Sequence, residues 1–218
     1  MFYLTDMKGV STGTTTVGIV CKDGIVLAAE KKATMGYLVA TKDDIKIVEI
    51  MPHIAMTQAG MVGDVQALTR YLIAESKLYE LRTRKRIPVK VAASLLSNIL
   101  YGGRWSYLPY QVQLILAGFD ETGPNLFILH PDGSSLEEKR YFSTGSGSPM
   151  AFGVLETLFK EGFSIDECKK VAARAVRAAV ERDIASGGRG IDIAVIDKDG
   201  FKLLKEAEVE KVIERTKK

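Results

Sequence analysis

The sequence predicts an α+β fold in a single domain, and three observations carry that expectation. Strand-like apolar runs open the chain and return twice. Helical spacing appears as two separate pairs between the strand groups, and turn signals of the Asp-Gly type join neighbouring strands directly. The order is therefore strands, two helices, strands, two helices and final strands. Hairpin-joined strands with grouped helices argue against alternating βαβ units. Two sheets packed on each other with helices outside would bury both faces of each sheet, a layering that periodicity leaves open.

Residues 1–13 show no periodicity and end in Ser-Thr-Gly, the pattern of a tail. Residues 15–21 are β-branched and apolar, Lys22-Asp23-Gly24 supplies a turn, and residues 25–31 resume the strand. Residues 37–40, 45–50 and 54–59 read as three more strands, with Lys42-Asp43-Asp44 and Pro52-His53 at the turns. The texture changes at Gly60-Met61-Val62-Gly63-Asp64. From there to about Arg84, Val65, Leu68, Leu72 and Leu78 fall at helical spacing. Pro88 stands where a first helical position would be, Val91, Leu95 and Ile99 follow as the apolar face of a second helix, and Gly102-Gly103 stops it.

Strands return at residues 111–119 and 126–130, Pro131-Asp132-Gly133 turns the chain, and one further strand is expected over 138–142. A glycine-rich loop over 143–148 leads into a helix with Phe152, Leu155 and Phe159 on one face. Ser164 and Glu167 have the spacing of a capping box, and the helix they start carries a face of small residues: Cys168, Ala172, Ala175, Val176 and Ala179. Residues 191–196, an Asp199-Gly200 turn, a short strand and a charged terminal helix complete the chain.

The 218 residues are 46% hydrophobic and 26% charged, which excludes disordered and low-complexity classes. A net charge of +3, with no basic stripe interleaved with aromatics, gives no support for nucleic acid. Cys21 and Cys168 lie far apart without metal-ligand spacing; they are expected as small buried apolar residues in a reducing compartment. No apolar stretch approaches the roughly 20 residues that span a membrane. Asp6 and Lys8 interrupt what would be the apolar region of a signal peptide, so a cytoplasmic location is expected.

The chemistry narrows by elimination. His53 and His130 sit at turns beside proline with no ligand partner at metal spacing, and are expected as solvated turn residues. A His-based triad and a Gly-x-Ser-x-Gly elbow are unsupported. The loop at 143–148 could cradle a phosphate at a helix N-terminus, but no Gly-Lys-Ser/Thr follows it, and a turn-and-cap role accounts for it. Gly13-Thr14-Thr15-Thr16 remains. Read alone, three threonines are a strand start. If the chain is cut after Gly13, Thr14 owns a hydroxyl and a free α-amine that titrates near about 7.7–8, so one residue is nucleophile and base together. Such a site needs a buried cation near the hydroxyl and an anion to hold that cation. Lys46 interrupts an apolar run and Glu30 ends one, although each taken singly reads as a solvated strand-end charge.

Together, Thr14-Thr15-Thr16-Val17-Gly18, Glu30-Lys31-Lys32, Lys46, Ala59-Gly60-Met61-Val62-Gly63-Asp64, the loop at 143–148 and Arg182-Asp183-Ile184-Ala185-Ser186-Gly187-Gly188 resemble the β subunits of archaeal 20S proteasomes. The resemblance runs in the family's order from Thr14 to about residue 205. It implies a four-layer αββα sandwich of the N-terminal nucleophile (Ntn) hydrolase type. Residues 1–13 would be a propeptide removed by autolysis of Gly13–Thr14, and residues 14–218 the Ntn-hydrolase domain.

By position, Thr14 matches the nucleophile of a threonine endopeptidase, Lys46 the lysine that tunes it and Glu30 that lysine's acid. Asp183, Ser146 and Ser186 match the polar network around the threonine, and the Gly60 N–H matches the oxyanion donor. Ala33 and Val62 fall where the pocket for the residue before the scissile bond is lined. Their apolar character fits cleavage after hydrophobic side chains, whereas Lys42-Asp43-Asp44 could turn the pocket towards basic ones. The resemblance implies a β ring of seven subunits flanked by α-subunit rings, unfolded protein substrates delivered by a regulatory ATPase, and no metal or organic cofactor. It also leaves open an unprocessed, structural β subunit of the same ring. Lys32 stands where arginine is frequent in the family, and Glu30 where other branches often have aspartate.

Overall fold

The computed structural model describes residues 13–214. Residues 1–12 of the expected propeptide and the last four residues of the expected terminal helix lie outside the described residues. In chain order the elements are β1 (Thr16–Val20), β2 (Ile25–Glu30), β3 (Ala33–Met35), β4 (Leu38–Thr41), β5 (Ile47–Met51), β6 (Ile54–Gly60), α1 (Val62–Thr83) and α2 (Val89–Gly103). There follow β7 (Val112–Asp120), β8 (Gly123–Leu129), β9 (Ser135–Glu138), β10 (Tyr141–Thr144), α3 (Ser148–Leu158), α4 (Ile165–Arg182), β11 (Ile191–Asp197), β12 (Gly200–Leu203) and α5 (Glu206–Glu214). None of the described helices is long and apolar enough to cross a membrane.

Two five-stranded sheets, ordered β10-β1-β2-β11-β12 and β5-β6-β7-β8-β9, form the centre. Strand period alone decides what each face buries. On β2, Ile25, Leu27 and Ala29 enter the core between the sheets with Ile115, Ala117, Leu126 and Ile128, while Val26 and Ala28 face a second core under α3 and α4. A third core joins the other sheet to α1 and α2 through Met56, Leu72, Leu96 and Leu116. Helix, sheet, sheet, helix is thus the observed layering, and it explains why these strands read as continuous apolar runs rather than alternating ones. Truncating a side chain such as Leu27 or Ile115 to Ala in these cores would cost about 2–5 kcal/mol.

The capping box at the start of α4 is present: Ser164 Oγ accepts from Glu167 N at 3.4 Å, and the Glu167 carboxylate accepts from Ser164 N at 2.9 Å. The small-residue face of α4 is buried throughout, with Cys168, Ala172, Ala175, Val176 and Ala179 all at 0% exposure, so the helix lies close against β1 and β2. Cys21 is buried as well.

Several expectations are corrected. The single strand over 138–142 is two strands in different sheets. The Glu138 carboxylate accepts from the N–H groups of Lys139 and Arg140 at 2.8 and 2.9 Å, and from Tyr141 the chain pairs with Ile19 of the other sheet. The strand expected over 37–40 is present as β4, but its hairpin partner β3, turned back at Gly36 (φ 59°), was not expected, because three residues carry no readable period. The buried face of α2 runs through Ala92, Ala93, Leu96 and Leu100, one position beyond the expected stripe. Pro88 is the N-cap of that helix rather than its first residue. His53 is not solvated: it is 4% exposed, and its Nε2 lies 2.9 Å from the Ile87 carbonyl oxygen in the link between α1 and α2.

Candidate active site

Thr14 precedes β1, and Glu30 ends the antiparallel neighbour β2, so strand pairing alone brings them to one end of the first sheet. Lys46 immediately precedes β5 and approaches from the second sheet. Below Thr14, the Thr16 hydroxyl joins Thr57 of the second sheet at 2.9 Å and Thr144 of β10 at 2.7 Å, tying the two sheets together beneath the site.

Lys46 and Glu30 form an ion pair that is almost wholly buried, with exposures of 3% and 0%. The remaining donors of the ammonium are used as well. Lys46 Nζ donates to Thr14 Oγ1 at 2.9 Å and to the Lys32 carbonyl oxygen at 2.6 Å. The second oxygen of Glu30 accepts from Lys32 N at 2.7 Å and Gly187 N at 2.8 Å. Burial of two charges is tolerated only when each is paired and hydrogen-bonded in this way. Neither residue is the solvated strand-end charge that each suggests when taken singly.

A second network stands on the other side of Thr14. Asp183, the C-cap of α4, accepts on Oδ2 from Ser146 Oγ and from Ser186 Oγ, both at 2.6 Å. Thr14 N donates to Ser146 Oγ at 3.3 Å, and Thr15 Oγ1 shares a hydrogen bond with Ser186 Oγ at 2.6 Å. Ser146 sits in the loop between β10 and α3. The neighbouring Gly145 (φ 92°) has no room for a side chain, because a Cβ would overlap the Thr14 carbonyl oxygen. The Thr14 hydroxyl itself donates to the carbonyl oxygen of Gly13 at 2.6 Å.

A cleft of about 320 Å³ opens beside Thr14, and its walls include Ala33, Asp44, Gln58, Gly60, Val62 and Gln66. All seven residues expected around the nucleophile, Thr14, Glu30, Lys46, Ser146, Asp183, Ser186 and Gly60, therefore meet at one end of the sandwich, together with Gly13, Ala33 and Val62. Glycine at position 60 has a reason besides access to a ligand: φ is 128°, and a Cβ would overlap the Gln111 carbonyl oxygen of the segment entering β7.

Sequence reasoning missed Thr15 as a partner of Ser186 and the backbone groups of Lys32 and Gly187 that hold Glu30. The Gly187-Gly188 pair, at φ 150° and 95°, was the available signal, since it marks a loop that folds back on β2. The Lys32 side chain does more than pack, because its Nζ donates to the Ile184 carbonyl oxygen at 2.7 Å.

Two sheets between helix layers, with a threonine at the head of the first strand, are the sandwich of the Ntn hydrolases. Comparison with known proteins narrows the class. The family model described as "Proteasome subunit" matches residues 10–196. A "Proteasome subunit beta" of Methanohalophilus mahii is 50% identical over 205 residues, covering 94% of this chain and 96% of that protein. The protein of the same description from Methanocaldococcus vulcanius is 50% identical over 202 residues, covering 92% and 89%. That from Methanocaldococcus jannaschii is 48% identical over 209 residues, covering 95% and 92%. The chain belongs to the proteasome subunit family, as a β subunit of the archaeal type.

Proposed function

We propose that this chain is a catalytic β subunit of a proteasome core, a threonine endopeptidase that cuts unfolded proteins with Thr14 after autocatalytic cleavage of Gly13–Thr14. The observation that carries this reading is the buried Lys46 ammonium, held by Glu30 and donating to Thr14 Oγ1 at 2.9 Å. A buried ion pair adds little net stability over packed apolar residues. A purely structural subunit has no need for one aimed at a threonine hydroxyl.

In the uncut chain the Thr14 nitrogen is an amide and cannot act as a base. The hydroxyl already stands 2.6 Å from the oxygen of the peptide bond it would cut. Attack of Oγ1 on the Gly13 carbonyl carbon breaks the C–N bond, sends a proton to the departing nitrogen and leaves an ester. Water then hydrolyses that ester to the Gly13 carboxylate and a free Thr14.

The mature residue repeats the chemistry on substrates. The neutral amine, directly or through a water held by Ser146, takes the hydroxyl proton while Lys46 stabilises the developing alkoxide. Oγ1 attacks a peptide carbonyl, and the Gly60 N–H, on the wall of the same cleft, receives the oxyanion. The ammonium returns its proton to the leaving amine, and water releases the acyl group. Asp183 orients Ser146 and Ser186 by accepting both hydroxyls.

Residues 1–13 then serve as a latency device and residues 14–218 as the mature domain, in a ring of seven β subunits between α rings fed by an ATPase in the cytoplasm. The test is the intact mass of the chain alone and after assembly with α subunits, beside Thr14→Ala. Loss of residues 1–13 with peptidase activity in the parent, and neither in the variant, is the expected result. Full-length mass in a proven ring would instead mark the chain as a structural subunit, or as one that matures only beside another β type.

A further inference from the structure

The cleft beside Thr14 is where the side chain preceding the scissile bond would enter, and its charge follows from a ledger of the groups around it. Lys46 is neutralised by Glu30. Asp43 shares the cleft, but its carboxylate is held by Lys31 at 3.5 Å and Arg189 at 3.3 Å, and Lys31 also faces Asp192 at 3.8 Å. Asp44 differs. Its backbone N–H donates to the Lys31 carbonyl oxygen at 2.8 Å, which fixes the residue on the wall. Its half-buried carboxylate makes no hydrogen bond or ion pair with any other described residue.

The polar lining continues with Gln58 and Gln66. The Gln58 amide nitrogen is committed to the Ile45 carbonyl oxygen at 2.7 Å, which leaves its own carbonyl oxygen as a further acceptor. An apolar guest would strip water from this carboxylate and amide without replacing their partners, a penalty that a cationic guest avoids.

We infer that Asp44 makes this site select lysine or arginine as the residue before the scissile bond. The inference rests on the function proposed above, and settles the choice between apolar and basic side chains that the sequence left open. Ala33 and Val62 then contact the aliphatic stem of the guest, while Asp44 receives its charged end.

The test uses particles assembled from this chain and α subunits, with fluorogenic peptides that differ only in Arg, Lys, Leu or Tyr before the bond cut. The expected kcat/KM ratio of Arg to Leu lies above roughly ten, falls about tenfold or more in Asp44→Asn, and is kept in Asp44→Glu. The ratio also declines with added salt, as expected for a partly screened charge pair. Faster cleavage after Leu or Tyr in the parent, or a ratio indifferent to Asp44→Asn, overturns the inference while leaving Thr14 a working nucleophile. No turnover of any peptide by a processed particle overturns the proposed function itself, and this inference with it.

Discussion

Gly13 lies flat against Ala185, so close that a Cβ on the glycine would overlap the Cβ of the alanine. This contact holds the peptide bond before Thr14 over the loop that carries Ser186, while the Thr14 hydroxyl reaches the Gly13 oxygen at 2.6 Å. Gly13→Ala must push that peptide away. Misplacement of reacting groups by about 1 Å can slow a reaction on the order of a hundredfold. Removal of residues 1–13 is therefore expected to slow by at least tenfold, read as a time course of intact mass during assembly. A parental rate would show that the contact has no part in processing.

The buried ion pair predicts a separation of stability from activity. Lys46→Met leaves the Glu30 carboxylate buried without its cation and should destabilise the subunit by about 3–5 kcal/mol. Adding Glu30→Gln removes that charge while a side-chain oxygen can still accept from Lys32 N and Gly187 N, so much of the loss should return. Peptidase activity should stay at least a hundredfold below the parent in both variants. Denaturant unfolding and peptide turnover, measured side by side, check the pattern. Activity that recovers along with stability would place Lys46 outside the chemistry.

Asp120 links acid stability to the start of α2. Burial pushes its carboxyl up, but hydrogen bonds from Thr122 and from Val89 N more than offset this and leave it below the usual carboxylate range. A depressed carboxyl contributes stability that is present above its unfolded value, about 3.9, and is lost as pH falls through its folded value. Asp120→Ala should therefore flatten the acid limb of the stability curve below about pH 4. It should also cost about 1 kcal/mol at neutral pH, through the lost hydrogen bond to Val89. Urea unfolding across pH measures both effects, and an unchanged acid limb would contradict the assignment.

The two thiols should be inert in the native subunit. The Cys168 sulfur beside Cys21, reinforced by burial, holds the Cys21 thiol well above its ordinary range. Because the thiolate is the reactive form of Cys21 and Cys168 is wholly buried, a native-state alkylation assay should label neither cysteine quickly, and both only after denaturation. Rapid labelling of one thiol in the folded protein would mean that the α4 packing opens readily.

Much of this architecture was legible in the chain. The Lys22-Asp23-Gly24 turn, the Ser164–Glu167 capping box and the small-residue face of α4 are local features that act over a few residues, and all three stand in the structure. The β9–β10 split was not legible, because a continuous run of strand-like residues does not say which sheet each half will join. His53 was misread because only the fold of the α1–α2 link brings a backbone carbonyl to its ring. The offset of the α2 face reflects burial against a particular sheet rather than helical period alone. Candidate residues of the site were nameable one by one, but Thr15 and Gly187 enter it only through partners far along the chain, and Lys32 through a backbone turn onto Glu30 that no side-chain pattern marks.

Period, caps and turns are short-range, so most of the elements, their order and the residues able to carry hydrolytic chemistry could be read from the chain alone. Packing of the two sheets is what brings Lys46 to Thr14 and Glu30, and what sets Asp44 on the cleft wall with a carboxylate unpaired among the described residues. The reason is physical: a charge is costly to bury alone and stable when paired. Which charges find partners, and which stay free for a ligand, depends on the packing of the two sheets, and no local pattern encodes that.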